Sequence, residues 1–528
     1  MTKTNILPLV AAATAGAALV GCKADEAPQF GSRPNIMFII AEDMTVDLGC
    51  YGRTDVKTPN IDRLAAEGVR YTNARCVAPL SSPTRSAMMT GLHHEITASH
   101  NHRSHRDTPL ADTTIVPFTK FLRESGYTCV LGNRDCFYNV NNTTNDQENS
   151  KKIDCNFKFE NVGPYDGVKH FGLFDKEFDL EPADVPFFSQ VTLYVTHRGD
   201  WWKGISEKSA HPVNPDDVVL PPYLADHPKV REEFACYLDQ VEYMDAEVGM
   251  ILDQLEQKKL LDNTIVVFIA DNGRADLRAK GFLYQDGTNI PMIVWGKGIK
   301  PGVCDDLVSE LDLPASFLHL AGVEIPEWYQ GHVLDVFNPT ESERAGAHDW
   351  VYTARDTWDE VQECIRGIND DRYAYIRNYR ADMPYASDHI YMDFYRPALH
   401  VMKKLKAEGK LTPAQLLYFA DTKPYEELYD YREDPFCLNN LVEDPAYSAV
   451  LDSLRADMDG WQASYRDAGV EDHLCREVTE NRKEENRPRY WGRTMHPDVW
   501  AEIENGAICD VYDQWKKEMK EYAKANNK

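Results

Sequence analysis

Residues 35–43 read NIMFIIAED, a continuous apolar run that ends in two acidic residues. An uninterrupted apolar run of this length is typical of a strand that is covered on both faces, as in a parallel sheet. The same arrangement recurs far downstream, where residues 264–273 read TIVVFIADNG. Two such strands predict an α/β fold, built on a doubly wound sheet that is flanked by helices.

Each of these two predicted strands ends in adjacent oxygen-bearing side chains, Glu42 with Asp43 and Asp271 with Asn272. The carboxyl ends of parallel strands meet at one edge of a sheet, so the two pairs are expected to lie together. Carboxylate and amide oxygens are the ligands of hard cations such as Ca²⁺. The alternative is that all four are ordinary turn residues at strand ends.

A second informative stretch, residues 79–91, reads PLSSPTRSAMMTG. Ser82 is predicted to cap a helix that has Pro83 at its first position and Gly91 at its end. Ser81 would then lie at the helix N-terminus, where free N–H groups favour an anion, with Arg85 nearby. This combination suits a nucleophile for a sulfate or phosphate ester. The alternative is a capped surface helix.

The same stretch resembles the signature of the type I sulfatases, (Cys/Ser)-x-Pro-(Ser/Thr)-Arg followed by Thr-Gly. The matching positions are Ser81, Pro83, Thr84, Arg85, Thr90 and Gly91. In that family the first residue is oxidised to formylglycine. A serine at this place resembles the variant that is matured by a radical-SAM enzyme in anaerobic bacteria.

The resemblance implies an alkaline-phosphatase-like fold, with a mixed sheet flanked by helices and a smaller C-terminal antiparallel subdomain. It also implies that calcium is held by both strand-end pairs together with the formylglycine. The expected metal ligands are thus Glu42, Asp43, Ser81, Asp271 and Asn272. Members of the family commonly have Asp-Asp at the first pair. Glu42 departs from this pattern but keeps the charge, so we expect the metal site to persist.

Two further candidate catalytic residues come from the resemblance. His197 follows the apolar run 187–195, where sulfatases place a histidine that either bonds the sulfate or protonates the leaving oxygen. Lys280 opens KGFLYQDG, which is similar to the family's Lys-Gly-x-x-Tyr-Glu-Gly-Gly, and takes the sulfate-binding lysine role. Without the resemblance, these would be a structural histidine and a surface lysine.

The mechanism that the resemblance implies begins with the hydrated formylglycine, one hydroxyl of which attacks sulfur. Arg85, Lys280 and calcium would stabilise the charge on the sulfuryl oxygens. His197 would donate a proton to the leaving sugar oxygen, and the second hydroxyl would expel sulfate.

One segment departs from the family. Where sulfatases read Gly-Lys-x-His, this chain has Asn133, Arg134 and Asp135 after Gly132. Asn133 cannot supply the charge of the lysine, which makes Arg134 a candidate substrate-binding residue. Asp135 takes the place of the histidine and is kept as a candidate catalytic residue. The departure leaves open a protein with weakened catalysis.

Several side chains near these motifs could form the substrate pocket. The segment after residue 90 is rich in histidine, and His102 and Arg103 are candidate substrate-binding residues because they follow the nucleophile helix. Trp201 and Trp202 come just after His197. They would either stack on a sugar or pack a loop.

The composition limits the partners and the location. A net charge of −28 argues against nucleic acid as a partner, so a sulfated substrate must be attracted by a local basic pocket.

Residues 1–21 read as an export signal that ends in a lipobox, with an apolar run shorter than the roughly 18–20 residues of a membrane span. Cys22 would carry lipid, and residues 22–32 would form a tether. We expect the protein at the periplasmic face or cell surface of a Gram-negative bacterium, touching the membrane only through the lipid anchor.

The remaining chain divides into a catalytic α/β domain, residues 33–340, and an α+β subdomain, residues 341–528. A helix is predicted over residues 231–259 from its apolar spacing. Helical stretches are also predicted in the C-terminal part, including the chain end from residue 500 to residue 523. Short strands are predicted near residues 351–354, 373–377 and 427–430. The cysteines other than Cys22 are scattered and indicate neither zinc nor a disulfide framework.

The predicted function is therefore that of a calcium sulfatase that removes an O-sulfate or an N-sulfate from a sulfated carbohydrate. Two alternatives stay open. One is a phosphodiester or phosphonate monoester hydrolase of the same superfamily. The other is a non-catalytic surface protein that binds sulfated glycans.

Overall fold

The computed structural model describes residues 33–134, 146–167, 171–182, 184–338, 347–471 and 476–526. The described strands are β1 (Asn35–Ala41), β2 (Val69–Arg75), β3 (Thr128–Leu131), β4 (Glu160–Val162), β5 (Gly172–Phe174), β6 (Lys176–Glu177), β7 (Phe187–Leu193), β8 (Thr264–Ala270), β9 (Asn289–Trp295), β10 (Gly302–Ser309), β11 (Val351–Arg355), β12 (Ile365–Asn369), β13 (Tyr373–Asn378) and β14 (Glu426–Asp430). The described α-helices are α1 (Pro59–Glu67), α2 (Ser81–Thr90), α3 (Phe118–Glu124), α4 (Asp146–Asn149), α5 (Trp201–Lys208), α6 (Pro228–Gln257), α7 (Gln285–Thr288), α8 (Asp312–Leu320), α9 (Ile390–Tyr395), α10 (Pro397–Ala407), α11 (Pro413–Leu416), α12 (Ser448–Ser464), α13 (Ala468–Glu471), α14 (Arg476–Glu485), α15 (Arg487–Met495), α16 (Pro497–Glu504) and α17 (Tyr512–Asn526).

A mixed eight-stranded sheet forms the centre of the molecule, in the order β10-β2-β9-β8-β1-β7-β3-β6. Strand β9 runs antiparallel to its neighbours β2 and β8, and the other pairs of this sheet are parallel. This mixed central sheet, with a separate antiparallel sheet in the C-terminal part, is the architecture that the sequence predicts.

The two predicted apolar strands are the two central neighbours β1 and β8. Every residue of both strands is buried, which explains why neither run contains a polar interruption. They pair in parallel with Ala41 opposite Ala270, so the residues that follow each strand emerge side by side. This register places both oxygen-bearing pairs at one point on the sheet edge.

The long predicted helix is α6, and its apolar face is buried. It begins three residues earlier than predicted because Pro228 suits the first turn and the His227 ring accepts a hydrogen bond from Lys229 N at 3.2 Å. Its buried apolar side chains include Phe234, Leu238, Val241, Val248, Leu252 and Leu255. Among the described residues, no helix has the length and apolar character that crossing a membrane requires.

The C-terminal part contains a four-stranded antiparallel sheet in the order β11-β12-β13-β14. Three of these strands were predicted. Strand β12 was not, because Arg366 and Gly367 interrupt its apolar pattern; Arg366 is nevertheless buried, in ion pairs with Asp356 at 3.1 Å and Asp467 at 2.7 Å. The chain end predicted to be helical, from residue 500 to residue 523, is helical over most of its length but is not continuous. The chain forms α16 and α17 there, separated after Gly506, whose φ of +89° ends a helix.

Some predictions fall outside the described residues. They are the export signal 1–21, Cys22 with its tether, Asp135 and most of the segment around the proposed boundary at residue 340. These stay predictions from the sequence.

Candidate active site

The carboxyl ends of β1 and β8 hold four polar residues that contact one another. The Asp43 N–H donates to Asp271 Oδ1 at 3.1 Å, and Asn272 Nδ2 donates to Asp43 Oδ1 at 3.0 Å. Glu42, Asp43, Asp271 and Asn272 are all fully buried. The structure therefore brings the two strand-end pairs together in one cluster.

This cluster fits a hard cation. Glu42, Asp43 and Asp271 each offer a carboxylate oxygen to a group whose atoms all lie within 4.8 Å of one another. Burial and the neighbouring Asp271 carboxylate raise the pKa of Glu42, because negative charges held together in the protein interior repel. A bound cation would relieve this repulsion, and oxygen ligands of this kind suit calcium.

The candidate nucleophile lies against the cluster. Ser81 is the first residue of α2, and its Oγ is 3.1 Å from Asn272 Oδ1. The prediction that Ser82 caps the helix is wrong, because α2 already begins at Ser81 and Leu80 holds the cap position. Ser82 Oγ instead accepts a hydrogen bond from Arg103 N at 2.7 Å, which ties the following loop to the helix. Gly91 ends the helix with φ +72°, as predicted.

Arg85 has a different partner set from the predicted one. Its buried guanidinium donates through Nε to Asp271 Oδ2 at 3.0 Å, through Nη1 to Thr192 Oγ1 at 3.2 Å, and through Nη2 to Glu42. Burial alone would lower the pKa of Arg85, but the Glu42 and Asp271 carboxylates outweigh it and raise the pKa. Arg85 therefore orients two of the carboxylates, where the sequence had placed it on the sulfate itself.

Lys280 and His197 lie on the other side of the cluster. Lys280 Nζ donates to both carboxylate oxygens of Asp43, at 2.6 and 2.7 Å. His197 Nε2 is 3.9 Å from Asp43 Oδ2, and its ring stacks on Tyr194. Burial, with the nearby Lys280 charge, holds the pKa of His197 well below its usual range. A lowered pKa favours the neutral form of the imidazole.

The segment that departs from the sulfatase pattern turns away from the cluster. Asn133 is buried, and its Nδ2 donates to Gln254 Oε1 at 2.8 Å. Arg134 is exposed and lies over the Phe178 ring, 4.7 Å from its centroid. The structure does not bring Arg134 to the predicted substrate pocket, because its side chain packs on the surface instead.

A lysine that the sequence did not indicate, Lys152, contacts the cluster. Its half-buried ammonium donates to the Glu42 carboxylate and lies 3.4 Å from Asp154 Oδ2. Burial lowers the pKa of Lys152 to about 8, even beside Glu42. The backbone fixes its position, because the Lys152 carbonyl accepts a hydrogen bond from Thr192 Oγ1 at 3.1 Å.

A cleft of about 420 Å³ opens in front of His197 and Lys280. His102 and Arg103 line it, as predicted for substrate-binding residues, and His102 Nδ1 is 3.2 Å from Asp359 Oδ1. Of the two tryptophans, Trp201 lines the cleft, whereas Trp202 is buried and packs the loop. Side chains from the C-terminal helices complete the lining, among them Arg482, Arg489 and Lys516.

Comparison with known proteins agrees with this geometry. The family model described as "Sulfatase" matches residues 34–323, and the model "N-sulphoglucosamine sulphohydrolase, C-terminal" matches residues 273–386. An ulvan-active sulfatase of Formosa agariphila is 29% identical over 82% of this chain and 76% of its own length. Human N-sulphoglucosamine sulphohydrolase is 24% identical over 83% of this chain and 92% of its own length.

The fold has relatives among solved structures. One protein, determined in complex with its substrate D-glucosamine-2-N,6-O-disulfate, superposes with a TM-score of 0.54 at 19% identity. The match covers 82% of this chain and 98% of that protein. At this identity the likeness concerns the fold alone, whereas the sulfatase family model spans more than half of the present chain. The chain belongs to the sulfatase family and is a sulfuric ester hydrolase.

Proposed function

We propose that this sulfatase acts through a formylglycine formed from Ser81, with calcium held by Glu42, Asp43, Asp271 and Asn272. The observation that carries the proposal is the 3.1 Å contact between Ser81 Oγ and Asn272 Oδ1. It places the modifiable side chain on the buried oxygen cluster. The Ser81 hydroxyl here stands for the oxygen of the mature residue.

The residues around the cluster have separate roles in the proposed reaction. When present, the hydrated aldehyde supplies a nucleophilic hydroxyl and calcium supplies positive charge near the sulfuryl oxygens. Arg85 holds Glu42 and Asp271 in place through its fixed guanidinium fork. Lys280 and Lys152 add positive charge on opposite sides of the carboxylates, which favours a transition state rich in negative charge.

His197 is the proposed donor to the leaving oxygen. Its Nδ1 has no hydrogen-bond partner among the described residues, and its ring faces the cleft. A neutral imidazole still carries one N–H, which donates a hydrogen bond to the oxygen as the S–O bond lengthens. No charged imidazolium is needed at the start of the reaction.

The proposed substrate is a sulfated saccharide that carries an O-sulfate or an N-sulfate. The cleft has the aromatic lining that suits a sugar ring, with Trp201, Trp358 and Tyr391 around its polar floor. The names of the two relatives described above, an ulvan-active sulfatase and an N-sulphoglucosamine sulphohydrolase, support this class.

Sulfate release from a defined set of sulfated mono- and disaccharides tests the substrate class. We expect turnover of at least one saccharide and little release of phosphate from the matching aryl phosphate or phosphonate ester. Faster phosphoester cleavage would favour the phosphodiester or phosphonate hydrolase alternative. Binding of sulfated saccharides by fully matured protein without turnover would favour the non-catalytic alternative.

The modification has its own test. Ser81 should carry formylglycine when the chain is produced together with a serine-type, radical-SAM formylglycine-generating enzyme. Mass spectrometry of the peptide that contains Ser81 should show the loss of two hydrogen atoms. Active protein that carries only unmodified serine would contradict the proposal.

We also propose lipid attachment at Cys22 on the exported protein, which rests on the sequence of residues 1–22 alone. Metabolic labelling with palmitate should mark the wild-type protein and leave Cys22→Ser unlabelled. Equal labelling of both would contradict the anchor.

A further inference from the structure

Three arginines from distant parts of the chain meet beside the catalytic cleft. Arg103 and Arg106 lie in the loop that follows α2, and Arg482 belongs to α14 near the C-terminus. Arg106 is exposed and shares the Asp154 carboxylate with Arg103. Burial and the Arg103 charge lower the pKa of Arg482. The fold thus holds like charges together, at a cost in free energy.

The carboxylates beside these arginines do not balance them. Asp154 is shared, since it pairs with Arg106, lies 3.6 Å from Arg103 Nε and also contacts Lys152. The partner of Arg482 is Glu485 on the same helix, and about half of the Glu485 side chain is exposed to solvent.

Asp359 does not accept a hydrogen bond from these arginines either. Its two carboxylate oxygens already face His102 and His389, each at 3.2 Å. Arg482 Nε is 3.9 Å from Asp359 Oδ1, beyond hydrogen-bond distance. Among the described residues, the buried Nε atoms of Arg103 and Arg482 therefore have no hydrogen-bond acceptor.

This positive group is continuous with the reaction centre. Arg103 and Arg482 line the same cleft as His197 and Lys280. A saccharide whose sulfate lies on the cluster would therefore extend toward Arg103.

We propose that Arg103 and Arg482 bind a second anionic group of the substrate, a carboxylate or a second sulfate on the saccharide. The inference rests on the proposed saccharide substrate and specifies its class as polyanionic. Guanidinium forks bind both groups with paired hydrogen bonds, and a partly desolvated pair is stronger than a surface one. A local site of this kind is required in a chain whose net charge is −28, because the overall field repels anions.

A purely structural role is the competing explanation, in which Arg482 only fastens α14 to the core. The neighbouring Lys483 separates the two. It belongs to the same helix and carries the same charge, but its side chain is about half exposed and pairs with Glu480 at 2.9 Å. Lys483→Gln is therefore the matched control for Arg482→Gln.

The test measures binding to Ser81→Ala protein, which cannot turn over, by isothermal titration. The probes are three disaccharides with one sulfate at the same position: one otherwise neutral, one with an added carboxylate and one with an added second sulfate. We expect one or both doubly charged probes to bind at least about tenfold more tightly than the neutral one. The two charged probes distinguish a carboxylate from a sulfate as the natural group.

In Arg482→Gln this preference should fall by about tenfold, whereas Lys483→Gln should keep it. Glu485→Gln removes the competing carboxylate and should increase the preference, which keeps the proposal testable should Arg482→Gln fold poorly. Equal binding of all three probes would overturn the second-anion site alone. An unchanged preference in both Arg482→Gln and Glu485→Gln would do the same. Failure of every probe to bind would overturn the proposed saccharide substrate as well.

Discussion

Lys152 Nζ donates a hydrogen bond to the carboxylate of Glu42, one of the residues that depart from the usual sulfatase sequence. The family places a lysine at the position of Asn133, and it commonly has aspartate at the position of Glu42. The longer glutamate and the lysine from a later segment meet in the buried cluster. Lys152 thus brings a positive charge to Glu42, whereas Asn133 contacts Gln254.

The first prediction concerns this pair. Lys152→Ala should lower kcat/KM by about 10²–10³-fold, the usual effect of removing one group that stabilises charge in a transition state. Lys151→Ala is the matched control, because Lys151 is the adjacent lysine but pairs with Glu148 and Glu177 outside the cleft. Steady-state kinetics on one active sulfated saccharide compare the variants. Equal effects in both would mean that Lys152 has no special part in the reaction.

The second prediction compares Lys280 with Arg134. Lys280→Ala should lose about 10²–10³-fold in kcat/KM, since its buried ammonium contacts both oxygens of Asp43. Arg134→Ala should stay near the wild-type rate, because its guanidinium lies over Phe178 at the surface. Circular dichroism and thermal unfolding check that both variants fold. A large loss in Arg134→Ala would show that this segment reaches the substrate after all.

Much of this site could be predicted because its signals are local in sequence. The strand ends, the Ser81 stretch and the Lys280 segment each combine an element of secondary structure with its chemical group in a short run. Parallel strand geometry then determines where the two strand ends meet. The parallel pairing of Ala41 with Ala270 brings the two strand ends together in this way.

Lys152 and Arg482 could not be predicted, for a physical reason. Lys152 follows a polar stretch with no periodicity, and Arg482 lies in a run of charged residues that is typical of a solvated helix face. Their burial depends on tertiary contacts between segments far apart in the chain. The partners of Arg85 could not be predicted either, because only the fold shows that its guanidinium contacts the carboxylates of Glu42 and Asp271.

A third prediction links pH to stability through His348 and Asp312. His348 Nε2 lies 2.8 Å from Asp312 Oδ1, and although burial alone would lower the pKa of His348, the carboxylate raises it. A pKa raised in the folded state stabilises the protein fully below the unfolded value, near 6.5. The contribution is lost as the pH rises through the folded value.

Urea unfolding midpoints at pH 5.5 to 8.5, chosen to bracket about 6.5, test this linkage. The stability advantage of wild type over His348→Gln should be largest at the acidic end and shrink as the pH rises. His319→Gln is the control, because His319 is exposed on α8, the same helix that carries Asp312. An advantage that grows with pH would have the wrong sign for the proposed pair.

The last prediction concerns removal of the metal. Chelation should abolish sulfate release and calcium should restore it, because Glu42, Asp43, Asp271 and Asn272 offer only oxygen ligands.

Calcium binding should also be measurable without turnover, as a change in stability. An ion that binds only the folded state stabilises it by RT ln(1 + [L]/Kd), about 2.7 kcal/mol at a hundredfold excess over Kd. Calcium should therefore raise the unfolding temperature of chelated wild-type protein, and raise it less in Asp271→Asn, which has lost one carboxylate of the cluster. Asp262 is an exposed acid before β8 that pairs with the exposed Lys297, so Asp262→Asn should respond like wild type. Better rescue by zinc than by calcium, or an equal calcium shift in both variants, would show that the ion binds elsewhere.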